Sequence, residues 1–472
     1  MRLYKKKNNK ILQIMSGRKR IYLCLAHMSD EGLEQKYIKE AFDTNWVVPL
    51  GPNVNGFEKD LEEFVNGSGF TVQGSQLEKR VVALSAGTAA VHLALIACGV
   101  GPGDEVLVQS FTFCASSHPI TYLGATPVFV DSEKETWNMD PELLEEAIKD
   151  RIAKTGKKPK AIVPVALYGM PYKADRIMEI ANKYNIPVIE DAAEGFGSKF
   201  KGQVLGTFGK YGVLSFNGNK MITTSGGGAL ITPDEDSWRE IMMYATQYRE
   251  SYPYYQHEKI GYNYRMSNIC AGIGRGQMTV ANDHIAHHKH VQGLYEELLA
   301  GVPGITVHSQ PVQGSGFKVQ GVEVPVYDSN YWLCTITLDP DLKIKGQENA
   351  YKAIVQGAVG GAAGVIHVAE SATTDCQPND NVEALRVFMD KAQIEARPVW
   401  KPMHKQPVYL RGKKEEVRCK SYSVVTSETS VAYVNGVSEA VFKVGMCLPA
   451  GPYVSDEDVR YIVDTIKSAI EK

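Results

Sequence analysis

From about residue 80 the chain alternates short, nearly unbroken apolar runs with longer stretches in which apolar residues recur every three or four positions. VVALS (81–85), EVLVQ (105–109), TPVFVD (126–131), KAIVPVALYG (160–169), IPVIEDAA (186–193), GVLSF (212–216) and GALIT (228–232) read as strands. The stretches TAAVHLALIACG, FTFCASSHPITYLG, PELLEEAIKDRI and DRIMEIANKYN read as helices between them. Strands alternating with helices predict βαβ units and a mostly parallel sheet, an α/β fold. Such sheets bind ligands beyond the carboxyl ends of their strands, so those ends are where chemistry is to be sought.

After about residue 285 the pattern changes. HHKHVQGLYEELLAGV predicts a connecting helix, and the remainder mixes strands such as NYWLCTITL with helices such as VEALRVFMDKAQ and DEDVRYIVDTIKSAI. This predicts a large domain over 16–285 and a smaller α+β domain over 286–472. Residues 1–15 are basic and then briefly apolar, with an apolar run too short for a signal peptide, and read either as a disordered leader or as an over-called start ahead of Met15. The Gly/Ala-rich stretch at about 350–380 gives no clear pattern. The most apolar segment, Val81 to Val100, carries Ser85, Gly87, Thr88 and His92, so a strand, a turn and a buried helix explain it better than a membrane span.

Composition narrows the class. Apolar residues are 44% of the 472 and charged residues 22%, enough for a real core and against global disorder. Lys plus Arg number 51 against 54 Asp plus Glu, a near balance that argues against a nucleic-acid protein. The eight cysteines show no C-x-x-C spacing, so they read as reduced thiols of a cytoplasmic protein. His284 and His288 stand four apart on a helix, but no third ligand type is near, and no metal site is assigned.

Polar residues stand at several strand ends. Ser85-Ala86-Gly87-Thr88 lies between a strand and a helix, where glycine admits close backbone approach and free N–H groups can hold an anion. A plain helix cap would look the same. Asp191 follows a buried apolar run and needs a partner, either a cationic heterocycle nitrogen or a cap or ion pair. Glu190 should face the other side of the sheet. Lys220 follows GVLSF in Ser215-Phe216-Asn217-Gly218-Asn219-Lys220, as a reactive amine or as a surface lysine in a polar turn. Phe113, after EVLVQSFT, either lies against a planar ligand or belongs to the core. Taken together, an anion site, an aromatic, a carboxylate and a lysine in that order on one parallel sheet match what pyridoxal 5'-phosphate requires. The helix start suits its phosphate, the aromatic its ring, the carboxylate its ring nitrogen, and the lysine its aldehyde as an imine.

The wording VVALSAGTAAVHLAL, FTFCASS, VIEDAAEGFGS, LSFNGNKMITTSGGG, IGYNYRMSNICAGIGRGQM and ARPVWKPMHKQPVY resembles the DegT/StrS sugar-nucleotide aminotransferases, from about Ile21 to the C-terminus. The resemblance implies an aspartate-aminotransferase-like, fold type I architecture. It implies Lys220 as the imine lysine and proton shuttle, with Asp191 paired to the ring nitrogen. Gly87, Thr88 and Ser215 would hold the phosphate, and Phe113 would stack. Glu194 occupies a place where many members carry Gln or His near the ring hydroxyl. Asn263 would reach the phosphate from the neighbouring subunit, making the active unit a homodimer with shared sites, and Arg397 and His404 would line the sugar-nucleotide side. SFNGNK, GYNYRMS and RPVWKPMHKQP look most like aminotransferases of UDP-linked 4-keto-6-deoxy-N-acetylhexosamines, with L-glutamate as amino donor, for surface glycan biosynthesis. Relatives that dehydrate instead carry histidine at the lysine position, and Lys220 favours transamination. Other readings are an aminotransferase acting at C3 or on a GDP- or dTDP-linked sugar, and a silent regulator on the same fold. A Rossmann dehydrogenase would need Gly-x-Gly-x-x-Gly after the first strand, which Ser-Ala-Gly-Thr does not supply.

Overall fold

The strands that read as continuous apolar runs are buried on both faces. In the computed structural model, which describes residues 18–67, 79–312, 317–319, 322–351 and 376–471, β1 (Arg80–Leu84) sends Val81 and Ala83 into one apolar core and Val82 and Leu84 into another. Strand β2 (Glu105–Gln109) divides Leu107 from Val106 and Val108 in the same way. Alternating side chains therefore fill a core on each side of the sheet.

The remaining strands of the large sheet are β3 (Thr126–Val130), β4 (Ala161–Val163), β5 (Ile189–Asp191), β6 (Tyr211–Ser215) and β7 (Gly228–Thr232). A four-stranded sheet, β1-β7-β6-β5, meets a second sheet holding β4-β2-β3 through parallel bridges Ile162–Val188 and Val165–Asp191. Within this assembly β7 alone runs antiparallel to its neighbours. The mostly parallel sheet is as predicted. Helices α1 (Leu33–Asp43) and α2 (Pro52–Asn66), which precede the first strand, were not predicted; α3 (Gly87–Ala97), α4 (Pro141–Thr155) and α5 (Ala174–Tyr184) connect strands. The stretch FTFCASSHPITYLG forms only a 3-10 turn, Cys114–Ser116, and the short helix His118–Tyr122, because Pro119 lacks the N–H needed to continue an earlier helix. Helices α6 (Glu235–Ala245) and α7 (Asn268–Met278) complete the large domain.

Helix α8 spans Ala281–Leu299, where the connecting helix is expected. Its histidines tie it to its surroundings: His284 Nδ1 meets the Met221 carbonyl at 3.2 Å, His287 Nε2 the Val454 carbonyl at 3.0 Å, and His288 Nδ1 the Tyr331 carbonyl at 3.1 Å. Among the described residues no cluster of three His, Cys, Asp or Glu could hold a metal. The smaller domain has its own sheet of β8 (Ile305–Val307), β9 (Cys334–Leu338), β10 (Arg397–Pro398) and, later in the chain, β14 (Gly445–Leu448). Its core gathers Tyr295, Ile336, Leu385, Met389 and Ile462 from this sheet, from α8, and from α9 (Asp380–Lys391) and α11 (Asp456–Ala469).

The expected boundary needs one amendment. Strands β11 (Glu415–Arg418), β12 (Ser423–Thr426) and β13 (Val431–Val434), all beyond residue 286, extend the large sheet, and β13 pairs parallel with β3. Val431, Ala432 and Tyr433 are buried there, and without them β3 would present an open apolar edge. Helix α10 (Val437–Val444) follows, and the Asp131 carboxylate, just past β3, accepts N–H groups of Asn435, Gly436 and Ser438 at its start. The expected leader over 1–15 and most of the Gly/Ala-rich stretch lie outside the described residues. Among the described residues, no helix is long and apolar enough to cross a membrane.

Candidate active site

The carboxyl ends of β1, β2, β5 and β6 open on one cavity of about 740 Å³. Its walls include Gly87, Thr88, Phe113, Asp191, Glu194, Ser215, Lys220 and Arg397, so most of the predicted set is brought together.

At the β1 end, α3 begins at Gly87, and no side chain caps its first turn. Its free N–H groups face the cavity end of the sheet with the positive end of the helix dipole. A Cβ on Gly87 would lie 3.0 Å from Ser215 Cβ and 3.3 Å from its Oγ, so the two residues form a close cradle with no room for a larger side chain. Phe113, 54% exposed, stands at the mouth, its ring 5.4 Å from that of Trp400.

Asp191 and Glu190 take opposite faces, as alternation requires. Glu190 accepts the N–H groups of Gly206 at 2.8 Å, Phe208 at 2.5 Å and Gly209 at 2.7 Å, a structural carboxylate. Asp191 accepts from Ser116 Oγ at 2.6 Å and from the Ala193 N–H at 3.1 Å. Burial pushes its carboxyl up, against these two hydrogen bonds and Lys220. Ser116 was missed as a partner of Asp191, although it lies inside FTFCASS.

Lys220, with a side chain 12% exposed, places Nζ 3.2 Å from Glu194 Oε1. The other Glu194 oxygen accepts the Tyr168 N–H at 2.7 Å. Burial pushes the Glu194 carboxyl up to about 7, against the pull of Lys220 and the Tyr168 N–H. Lys220 Nζ also lies 4.1 Å from the centre of the Trp332 ring. Cys24 and Cys447 line the same wall. Burial raises both thiols, Cys24 to about 12, so they stay protonated and act as small apolar groups. Trp332, Cys24 and Cys447 carried no signal in the sequence, since each sits far along the chain from the strand end it faces, whereas Trp400 lies inside ARPVWKPMHKQPVY without standing out there.

Arg397 lines the cavity with its guanidinium paired to Glu395 at 2.8 Å. Asn263 is exposed and lines an adjoining hollow that shares Ser85 and Gly226 with the main cavity. His404 does not line the cavity. It is 3% exposed, with Nδ1 at 2.6 Å from Ser110 Oγ and Nε2 at 3.1 Å from Glu439 Oε1. A carboxylate only accepts, so Nε2 carries a hydrogen toward Glu439, and the His404 backbone N–H donates to Ser110 Oγ at 3.2 Å. Burial opposes it, but His404 and Lys405 bring the Glu439 carboxyl down to about 2.

The donors fit pyridoxal phosphate. An uncapped helix start with two hydroxyls suits a dianion, a buried carboxylate suits a protonated ring nitrogen, and a shielded amine suits an aldehyde.

Comparison with known proteins agrees. Residues 29–339 match the model of the DegT/DnrJ/EryC1/StrS aminotransferase family. EpsN of Bacillus subtilis (strain 168), named as a pyridoxal phosphate-dependent aminotransferase, is 38% identical over 95% of both chains. A GDP-perosamine synthase of Escherichia coli O157:H7 is 31% identical over 94% of this chain and 98% of its own. The crystal structure of a DegT/DnrJ/EryC1/StrS aminotransferase from Brucella abortus superposes with a TM-score of 0.72 at 25% identity, covering 94% of this chain and 96% of that one.

Proposed function

Because the chain belongs to the DegT/DnrJ/EryC1/StrS family of pyridoxal-phosphate-dependent aminotransferases, we propose that it moves the amino group of L-glutamate to C4 of a nucleotide-linked 4-keto-6-deoxy sugar. The substrate is UDP-2-acetamido-2,6-dideoxy-hexos-4-ulose, the product serves surface glycan biosynthesis, and the enzyme acts in the cytoplasm as a homodimer with shared sites. The observation that carries the reading is the meeting of Lys220, Asp191 and the uncapped start of α3 in one cavity.

When bound, pyridoxal phosphate supplies an aldehyde for the amine and a ring that accepts the electrons released at the amino acid's α-carbon. The protein's residues do the rest. Gly87 and Thr88 N–H groups, with the Thr88 and Ser215 hydroxyls, bind the phosphate. Phe113 covers the ring, and Asp191 holds a proton at the ring nitrogen. Lys220 would hold the aldehyde as an imine and, once displaced by the incoming amino group, would move a proton between the two carbons as general base and then acid. Glu194 fixes where Lys220 rests. Arg397 faces the sugar-nucleotide side.

Support for the shared site is the position of Asn263. It is exposed in one copy, beside a hollow bordered by the half-exposed Val47 and Val48 that shares Ser85 and Gly226 with the cavity. The likeness to a GDP-perosamine synthase favours a second reading, a GDP-linked 4-keto sugar. A panel of UDP-, GDP- and dTDP-linked 4-keto sugars with L-glutamate, read by mass shift, separates the two: amination of the UDP-linked acetamido sugar is expected, and turnover of the GDP-linked sugar alone would replace the proposal. Lys220→Ala should abolish both the visible imine absorbance and 2-oxoglutarate release. Full activity in that variant would refute the role of Lys220.

A further inference from the structure

Strand β9 of the small domain is preceded by the turn Ser329-Asn330-Tyr331-Trp332, which grips the loops carrying Glu194 and Lys220. Ser329 Oγ donates to the Gly169 carbonyl at 3.0 Å, and the Asn330 N–H donates to Ser198 Oγ at 2.9 Å. The Asn330 side-chain amide donates to the carbonyls of Glu194 at 2.8 Å and Phe196 at 2.9 Å, while its oxygen accepts the Trp332 N–H at 2.8 Å. A Cβ on Gly169 would lie 1.8 Å from that oxygen, so the approach is as close as backbone allows. Tyr331 sits at φ 49°, a strained value for a non-glycine residue; its carbonyl meets His288 Nδ1 and its hydroxyl accepts the Gln310 N–H at 3.1 Å. A turn held at this many points delivers Trp332 to one place.

From that place Trp332, 2% exposed, makes two contacts with the Lys220 loop. Its indole N–H donates to the Asn219 carbonyl at 2.7 Å, and its ring lies 4.1 Å from Lys220 Nζ. The other titratable groups acting on the ammonium are Glu194, Asp191 and Cys24.

We propose that Trp332 is a positioning residue for Lys220, its ring holding the free ammonium beside Glu194 and its N–H fixing the peptide before the lysine. The inference rests on the reading of Lys220 as the amine that bonds the cofactor. A lysine released from that bond has a flexible four-carbon stem and must return to the reacting carbon. A ring 4.1 Å from Nζ and a carboxyl 3.2 Å from it confine the amine, which is how binding geometry shortens the path to a proton transfer. Cations are held over aromatic faces most strongly in desolvated sites.

The test labels the amine directly. Full-length apoenzyme is treated briefly with acetic anhydride, and acetylation at Lys220 is read by mass spectrometry against the exposed Lys39 and Lys59 of the same chain. Trp332→Leu should raise Lys220 labelling about thirtyfold, the scale of a buried ring–cation contact, while Trp332→Phe, which keeps a ring, should stay within about twofold of wild type. Site-specific replacement of Trp332 by tetrafluorotryptophan keeps shape and N–H but removes the negative ring face. It keeps the packing that Leu changes, and it should raise labelling as Leu does. In holoenzyme, Trp332→Leu should slow loss of the visible band with L-glutamate about tenfold with KM changed less than about threefold, and Trp332→Phe should restore most of the rate. Wild-type labelling in both the Leu and the fluorinated variants would overturn the inference. Borohydride reduction of wild-type holoenzyme tests the underlying reading separately: cofactor trapped anywhere but Lys220 would refute that reading, whatever Trp332 does.

Discussion

Glu194→Gln offers a measurement of how the site is built. In the folded protein burial pushes the Glu194 carboxyl up from 4.5 to about 7, with Lys220 and the Tyr168 N–H pulling the other way. A carboxyl that keeps its proton to higher pH when folded stabilises the fold fully below its unfolded value, and that stability is lost as pH rises through the folded value. The window therefore runs from about pH 4.5 to about pH 7. At roughly 1.4 kcal/mol per pH unit, the loss across it is about 3 kcal/mol. Unfolding entropy of roughly 2 cal/mol/K per residue over 472 residues gives about 1 kcal/mol per degree, so about 3 °C in melting temperature. Gln keeps the shape and can still accept the Tyr168 N–H, but it does not titrate. Calorimetric melting of the two apoenzymes between about pH 5 and pH 8 cancels every other titrating group. The wild type should lose about 3 °C relative to the variant as pH rises. Parallel curves would show that burial does not perturb Glu194. A difference of opposite sign would show that Lys220, at 3.2 Å, outweighs desolvation.

The remaining predictions test neighbouring parts. Gly87→Ala puts a methyl 3.0 Å from Ser215 Cβ, and apoenzyme should bind pyridoxal phosphate at least about tenfold more weakly by fluorescence titration, with little change in melting. Asp191→Asn removes the carboxylate proposed to hold a proton at the ring nitrogen and should slow the glutamate half-reaction at least about a hundredfold in stopped-flow absorbance. Glu439, held down at about 2 by His404 and Lys405, contributes stability that is present above about pH 4.5 and lost as pH falls through about 2. Discounted for partial exposure, Glu439→Gln should cost about 1–2 kcal/mol in denaturant unfolding at neutral pH, and less near pH 3.

What could be read from the sequence was local in the chain. The strand runs are apolar throughout because both faces are buried, and each polar residue that follows such a run, as at Ser85, Asp191 and Lys220, stands out against it. The pairings made by long-range contacts left no such mark. Ser116 reaches Asp191 across 75 positions, Trp332 reaches Asn219 across 113, and Ser110 reaches His404 across 294. His404 was placed on the sugar side by its motif, but a histidine's direction is set by what surrounds it, and here Ser110 and Glu439 turn it inward. Chain order places the three strands β11 to β13 in the smaller domain, while their pairing is decided by the open edge of β3.

Glu190 and Asp191 show how one strand separates support from chemistry. Both carboxyls are buried, and burial pushes both up. Glu190 meets three backbone N–H groups on the far side of the sheet and so fixes the loop over 206–209. Asp191 meets one hydroxyl and one N–H, and it lines the cavity. A carboxylate has about four acceptor positions. Glu190 spends most of its own on the fold, whereas Asp191 keeps capacity directed at a ligand, at the cost of desolvation that a cationic partner relieves. A single-residue register slip would exchange the two roles, so the pairing of β5 with β6, Asp191 opposite Val213, is itself a condition of the chemistry.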